Sequence, residues 1–354
     1  MQQILTEPNQ RLTKAKELMQ NFLLATGVVG KRPSRRYLWT DALAVENLIL
    51  LELKTGDQKF THCALELVDL VHSKLGKFDK KDKRKGWISA LPDEEGKMRP
   101  TSGGLRIGKP KLERSKEMPF SMNDEWDRDG QYFHYLTRWI DALLLVGEVT
   151  NDGKYYFWAA DLCAVTMKSF IKETRIPWKM SVDLKRVQIN SQGATDPLDG
   201  LITLRKVLSA VPEFKKELKP HASILRHLCR NKSWSSPDPL GTGRLLINAH
   251  DLKQLSLPSA QVLNWQELLA QACVGIDHLL NGKTFNKPVD SRLAFRECAL
   301  SHGIRVWQKE GSYMEDYIPL AEEIESFWLN AISTDTWRDH EDINAVTLSA
   351  SLLN

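Results

Sequence analysis

The chain lacks the features that mark several functional classes. No stretch of its 354 residues reaches the ~18 consecutive apolar residues of a membrane-crossing helix, so no membrane span or membrane partner is expected. Five cysteines, Cys63, Cys163, Cys229, Cys273 and Cys298, are scattered, odd in number and without a CxxC pair. Each falls in an apolar helical stretch, which points to buried reduced thiols rather than disulfides or zinc ligands. The opening MQQILTEPNQRL has neither the basic nor the apolar region of a signal peptide, and a cytoplasmic protein is expected. A one-sided charge is missing too: 49 Lys and Arg against 45 Asp and Glu leave +4, too little to argue for nucleic acid. There is no GxSxG, HExxH or GxxxxGK[ST] motif, and neither a metal nor a cofactor is expected.

What is present suits a globular chain, with 42% apolar and 27% charged residues. The basic excess is local. Residues 74–116 hold fourteen Lys and Arg against six Asp and Glu, including the run KKDKRK at 80–85. That run reads as an anion patch or, more simply, as a solvated loop.

Apolar spacing is overwhelmingly helical. Leu12, Ala15, Leu18, Met19, Phe22 and Leu23 mark one amphipathic face, and Phe60, Cys63, Ala64, Leu67, Val68 and Val71 another. The pattern predicts about twelve helices, near 11–26, 41–54, 58–75, 131–149, 153–172, 197–209, 213–230, 243–255, 259–281, 291–306, 314–332 and 340–353, with no competing strand period. Several even-numbered helices are apolar nearly all round, as in Ala142-Leu143-Leu144-Leu145-Val146, and such helices are buried on most sides. The odd-numbered ones are amphipathic and suit an outer layer. Connections after even helices are short; the first four after odd helices run to about 14, 55, 24 and 12 residues. In an up-and-down arrangement one rim then carries nearly all the irregular chain, which is how a scaffold presents a site.

The alternation of outer and inner helices resembles the (α/α)6 toroid of the six-hairpin glycosidase superfamily. The strings RRYLWTDALAV, GGLRIGKP, EWDRDGQYFHYLTRW, TDPLDGL and TWRDHEDIN are also similar to those of a group of bacterial proteins. The resemblance implies an all-α, single-domain barrel over 1–354, with the even-numbered inner helices parallel and residues 76–130 as a lid over its mouth. Trp87, Ile88, Leu91, Leu105, Ile107, Phe120 and Trp126 make that segment too apolar for a solvated linker.

Unusual residues gather where each even helix begins. Asp196-Pro197-x-Asp199 and Asp339-x-x-Asp342 each read as a cap with an acid in the first turn. Capping needs one acid per helix, and the rim offers a surplus interleaved with Arg, His and Trp. Asp127, Asp129, Glu341 and His340 are therefore the candidate catalytic residues, an ionised aspartate acting as base or nucleophile and Glu341, partly buried beside Trp337 and His340, as acid. Asp41, Trp39, Arg106, Trp126, His134, Asp199, Arg296 and Trp337 are the candidate substrate-binding residues. Glu125-x-Asp127-x-Asp129-Gly130 imitates a calcium loop, but Leu136 stands where the bidentate acid belongs. Gly103-Gly104-x-Arg106-x-Gly108-Lys109 has the makings of a phosphate cradle without Walker spacing.

Eleven tryptophans are available for stacking on a sugar. Trp158, Trp265, Trp307 and Trp328 are expected in the core. Trp39, Trp87, Trp126, Trp178, Trp234 and Trp337 lie in loops or at even-helix starts, where each either holds sugar or plugs a loop onto the barrel. The leading reading is a glycoside hydrolase using two carboxylates on a carbohydrate or sugar-like molecule. A sugar epimerase or isomerase using His134, His250 or His340 is the second, and a non-catalytic carbohydrate-binding or regulatory protein on a degenerate glycosidase scaffold the third.

Overall fold

The computed structural model describes residues 8–255 and 263–354. Twelve long helices run through them: α1 (Pro8–Ala25), α2 (Leu38–Thr55), α3 (Lys59–Leu75), α4 (Phe133–Thr150), α5 (Gly153–Phe170), α6 (Asp196–Ala210), α7 (Lys215–Cys229), α8 (Pro239–Gln254), α9 (Trp265–Asn281), α10 (Ala294–Trp307), α11 (Ile318–Asn330) and α12 (Glu341–Leu353). Each matches one of the helices expected from apolar spacing. The connection Ser256-Leu257-Pro258 and residues 259–262, where the ninth helix was expected to begin, lie outside the described residues. No described helix is long and apolar enough to cross a membrane.

Local chemistry sets the helix starts. Asp152, Asp238 and Asn264 each accept a backbone N–H from the first turn of α5, α8 and α9, satisfying a donor that the helix itself leaves open. Helix α6 begins Asp196-Pro197, with proline where a missing N–H does no harm.

The chain divides into two compact units. One holds α1, Leu50–Asp57 and Asn231–Asn354; the other holds Pro33–Ile49 and Gln58–Arg230. In the first, even helices pack on one another, α8 on α10 and α10 on α12, while α9, α11 and α1 lie against α8, α10 and α12. In the second, α4 packs on α6, with α5 against α4 and α7 against α6. Burial follows the same rule. Every residue from Asn344 to Leu353 in α12 is buried, and so is every residue from Asp196 to Leu204 in α6. Helix α7 buries only Leu218, Ala222, Leu225 and Cys229, a single stripe.

Buried charge ties the first unit together. Glu325 of α11 accepts from Arg305 of α10 at 2.8 Å, from Ser301 at 3.0 Å, from Ser351 of α12 at 2.6 Å, and from Arg11 of α1. Four helices thus share one carboxylate. All five cysteines are free thiols, three of them buried.

Two features depart from the sequence expectation. A three-stranded antiparallel sheet is present: β1 (Gln131–Tyr132), β2 (Lys179–Met180) and β3 (Val187–Ile189), in that order. Strands of two or three residues are too short to leave a period, which is why none was read. Second, the 80–85 run is neither wholly solvated nor a free cationic patch. Lys80, Lys81, Lys83 and Lys85 are exposed, whereas Arg84 binds Asp82 at 2.7 Å and Glu113 at 2.5 Å.

His72 of α3 is buried, and its Nε2 accepts the indole N–H of Trp139 at 3.0 Å. Burial pushes its pKa down from 6.5 to about 3, so the folded state holds it neutral while the unfolded chain takes up a proton. Its contribution is complete above pH 6.5 and declines as pH falls toward 3, at no more than about 1.4 kcal/mol per pH unit. Urea titrations across that window should show His72→Gln, which keeps an acceptor for Trp139, losing less stability than the parent as pH falls. Parallel curves for the two proteins would refute the assignment.

Candidate functional site

The second unit builds a site from a strap, a hairpin and the start of α4. The strap is residues 105–111. The N–H of Leu38, first residue of α2, donates to Ile107 O at 3.0 Å; the Ile107 N–H donates to Gly130 O at 2.8 Å and the Asp129 N–H to Lys111 O at 2.7 Å. Gly108 has φ +96°, and a Cβ there would stand 2.2 Å from the carbonyl oxygen of Arg36. Only glycine lets the strap press this closely on the chain leading into α2.

The strap is pinned by Arg106. Its Nη1 donates to Asp129 Oδ2 at 2.7 Å, its Nε to Lys77 O at 2.9 Å and its Nη2 to Lys74 O at 3.1 Å. The other oxygen of Asp129 accepts the N–H groups of Gly108 and Gly130, both at 3.0 Å. Burial pushes the Asp129 carboxyl up, while Arg106 and the two amides pull it down.

The hairpin brings distant aromatics together. Tyr132 pairs with Lys179 across β1 and β2, and the Phe133 N–H points to Trp178 O at 3.4 Å. Tyr132, His134 and Trp178 consequently lie nearly parallel, with Tyr132–His134 centroids 5.5 Å apart at 20° and Tyr132–Trp178 at 5.4 Å and 28°. Tyr132 is buried beneath them, while His134 and Trp178 are partly open. Trp126, 45% exposed, meets Trp178 edge-on at 4.9 Å. Beside this wall the Tyr135 and Tyr37 hydroxyls are 2.6 Å apart, and burial raises both phenol pKa values, so both stay neutral. His134 Nδ1 stands 3.9 Å from Asp196 Oδ1 at the start of α6. The buried Tyr132 hydroxyl has no hydrogen-bond partner among the described residues.

With this geometry in place, the chain can be set beside known proteins. No protein-family model and no curated protein matches it. Solved structures do. The α-1,6-mannanase GH76A of Salegentibacter sp. HEL1_6 shares 12% identity over 98% of this chain and 100% of its own, with a TM-score of 0.58. A D-mannose isomerase shares 12% over 90% and 86% at 0.53, and an unsaturated glucuronyl hydrolase specific for heparin 11% over 98% and 96% at 0.52. The fold it shares with them is the (α/α)6 toroid.

Several expected site residues are buried and held by protein partners. Arg106 and Asp129 are buried at 8% and 2% exposure and saturate each other, so neither faces a ligand. The same hydrogen bonds occupy the Gly108 amide and the Arg106 guanidinium, which removes the phosphate cradle. Asp41 accepts the Tyr37 N–H at 3.0 Å and lies 3.3 Å from Arg36; Asp199 accepts the Thr195 hydroxyl at 2.9 Å. Both are buried at α2 and α6 starts, as caps are. Trp337, 1% exposed, packs on Trp328 and offers no face. Glu341 is exposed, so the burial expected to make it an acid is not there; it borders a groove lined by Asn21, Leu24, Lys31 and Arg32. His250 lies near the end of α8, away from its start, and faces Glu310 at 3.3 Å.

Other expectations gain company. Asp127 is exposed, 3.1 Å from Lys111, and follows Trp126 directly. Trp39 is half-buried in the first turn of α2. In the first unit Arg296 binds Asp238 at 2.7 Å, and the neighbouring Phe295 ring meets exposed His340 at 5.8 Å. Of the loop tryptophans, Trp87, Trp234 and Trp337 are buried plugs, whereas Trp39, Trp126 and Trp178 stay reachable. Tyr37, Tyr132 and Tyr135 were not among the expected site residues, and Asp196 was expected only as a cap. The run Tyr132-Phe133-His134-Tyr135 at a helix start was the available signal.

Gly108→Ala tests the strap. A methyl group against Arg36 O at a left-handed φ should cost more than ~1 kcal/mol and lower the melting temperature by several degrees. Gly153→Ala, with open space around it, serves as the control and should change little.

Proposed function

We propose that this chain is a carbohydrate-active enzyme whose sugar lies on the wall of His134, Trp178 and Trp126. The observation that carries the reading is the wall itself: His134 and Trp178 nearly parallel over a buried tyrosine, Trp126 edge-on to Trp178, all three reachable, with carboxylates beside them. Aromatic faces bury the apolar C–H surface of a sugar while flanking polar groups take its hydroxyls.

Glycoside hydrolysis is the first reaction class, in keeping with the hydrolases that share the fold. An inactive variant of the GH76A mannanase, with two consecutive aspartates changed to asparagine, was solved with α-1,6-mannotriose. This chain contains no Asp-Asp dipeptide, so its carboxylates come from separate segments. Asp196 is buried at the positive end of α6 with Oδ2 on the Gly193 N–H at 2.7 Å. It differs from Asp41 and Asp199 in having its Oδ1 near His134 of the wall, and suits the ionised partner; Asp127, the open acid after Trp126, suits the other. His340, Glu341 and Arg296 remain proposals for the first unit, with Arg296 and His340 flanking Phe295. The five unbridged thiols fit a reducing compartment.

A second reading has its own observation. His134 Nδ1 lies 3.9 Å from Asp196 Oδ1, beyond a hydrogen bond but close enough for the carboxylate to favour the imidazolium formed when His134 takes a proton from a carbon next to a sugar carbonyl.

A panel of aryl glycosides, oligosaccharides and free aldoses separates the two. Hydrolysis should release reducing sugar and fall by ~10²–10⁴ in Asp196→Asn and Asp127→Asn. Isomerisation should exchange a carbon-bound hydrogen with deuterated water and fall in His134→Gln. Trp178→Ala should weaken sugar binding in either case, by about 1–2 kcal/mol. Sugar binding indifferent to Trp178→Ala would sink the wall as the site.

A further inference from the structure

The wall has an unbalanced charge beside it. Segment 124–129 carries four acids, and each already has its cation. Asp124 binds Arg128, Glu125 binds Lys179 at 3.1 Å and Arg114 at 2.5 Å, Asp127 binds Lys111 at 3.1 Å, and Asp129 binds Arg106 at 2.7 Å. Lys109 on the same strap is left over. Its ammonium makes no hydrogen bond or ion pair among the described residues and lies 5.5 Å from the centroid of the Tyr37 ring. Tyr37 in turn shares its hydroxyl contact with Tyr135, whose ring is 4.7 Å from that of His134. The side chain is half-buried, and burial lowers its pKa, with the charges of Asp127 and Asp129 acting in the other direction.

An ammonium drawn partly out of water without a counter-ion is unfavourable, and such groups are normally paired. Here the strap that carries it is pinned by Gly108 and Arg106, and two tyrosine rings, Tyr37 and Tyr135, separate it from His134 of the wall. A ligand that brought an anionic oxygen would supply what Lys109 lacks.

The geometry points to a sugar bearing an anionic substituent, a carboxylate or a phosphate, as the ligand of this site, with Lys109 reading the charge. This rests on the proposal that the wall binds sugar. Carboxylate and phosphate share the chemistry that Lys109 recognises, and the experiment separates them.

The test measures binding by calorimetry for glucose, glucuronate and glucose 6-phosphate, and for mannose, mannuronate and mannose 6-phosphate. The parent protein should prefer one anionic form of a sugar over its neutral form by about 10- to 100-fold, a preference that shrinks with added salt. Lys109→Met should bring that ratio near one, and Lys109→Arg should keep most of it. Removing an unpaired ammonium should leave the melting temperature of Lys109→Met equal or higher, which guards against a folding artefact. Equal binding of neutral and anionic sugars by the parent overturns the charge reading and leaves the sugar site standing. An anion preference undiminished in Lys109→Met also overturns it. Binding of none of the six overturns both this inference and the sugar reading of the wall.

Discussion

The ion pair between Arg106 and Asp129 is the constraint on which the candidate site depends. Both partners are buried, and a buried carboxylate survives only when its lone pairs are met. Asp129 meets that demand with one guanidinium nitrogen and two backbone amides, while Arg106 spends its other nitrogens on the carbonyls at the end of α3. The pair therefore fixes three pieces of chain at once: the strap, the turn before β1, and the loop after α3. Tyr132 follows Asp129 by three residues, and Lys109 follows Arg106 by three. Were either charge removed, the other would be left buried alone, and the placement of both functional neighbours would go with it.

The helical frame was legible because its cause is periodic. Twelve apolar patterns gave twelve helices, and Asp152, Asp238 and Asn264 mark three of their starts by the local chemistry of open N–H groups. Even helices such as α6 and α12 are buried on all sides over most of their length, and their sequences carry that in the absence of a polar face. The sheet was not legible. Lys179 and Gln131 are polar residues in strands two residues long, buried by tertiary pairing that no local pattern anticipates. The tryptophans show the same division. Nothing in the neighbourhood of Trp87 or Trp337 in sequence distinguishes a plug from Trp126 or Trp178, since each answer depends on chain far away.

The acids illustrate why a site is harder to read than a fold. A surplus of Asp and Glu at helix starts is visible, but the cations that neutralise it come from other segments. Lys179 reaches Glu125 across 54 positions, and Arg106 reaches Asp129 across 23. Counting acids alone made Asp129 look available for chemistry, whereas its oxygens are fully occupied. Counting both signs inverts the conclusion for this segment: what remains uncompensated is a cation.

That inversion bears on how one toroid serves different chemistries. The scaffold is shared with hydrolases and an isomerase at 11–12% identity, so helix packing alone does not choose the reaction. The choice falls to the irregular chain between odd and even helices. In this protein a strap and a three-stranded sheet, neither periodic, place a lysine against Tyr37 beside an aromatic wall whose histidine lies near Asp196 at the start of α6. The rings provide affinity that is indifferent to charge, because dispersion and apolar burial do not depend on its sign. In the proposed site, discrimination among sugars then falls to the few polar groups held at the edge of the wall. Their positions are only as firm as the strap that carries them, which is why a glycine and a buried ion pair, neither of which touches a ligand, govern what the site can recognise.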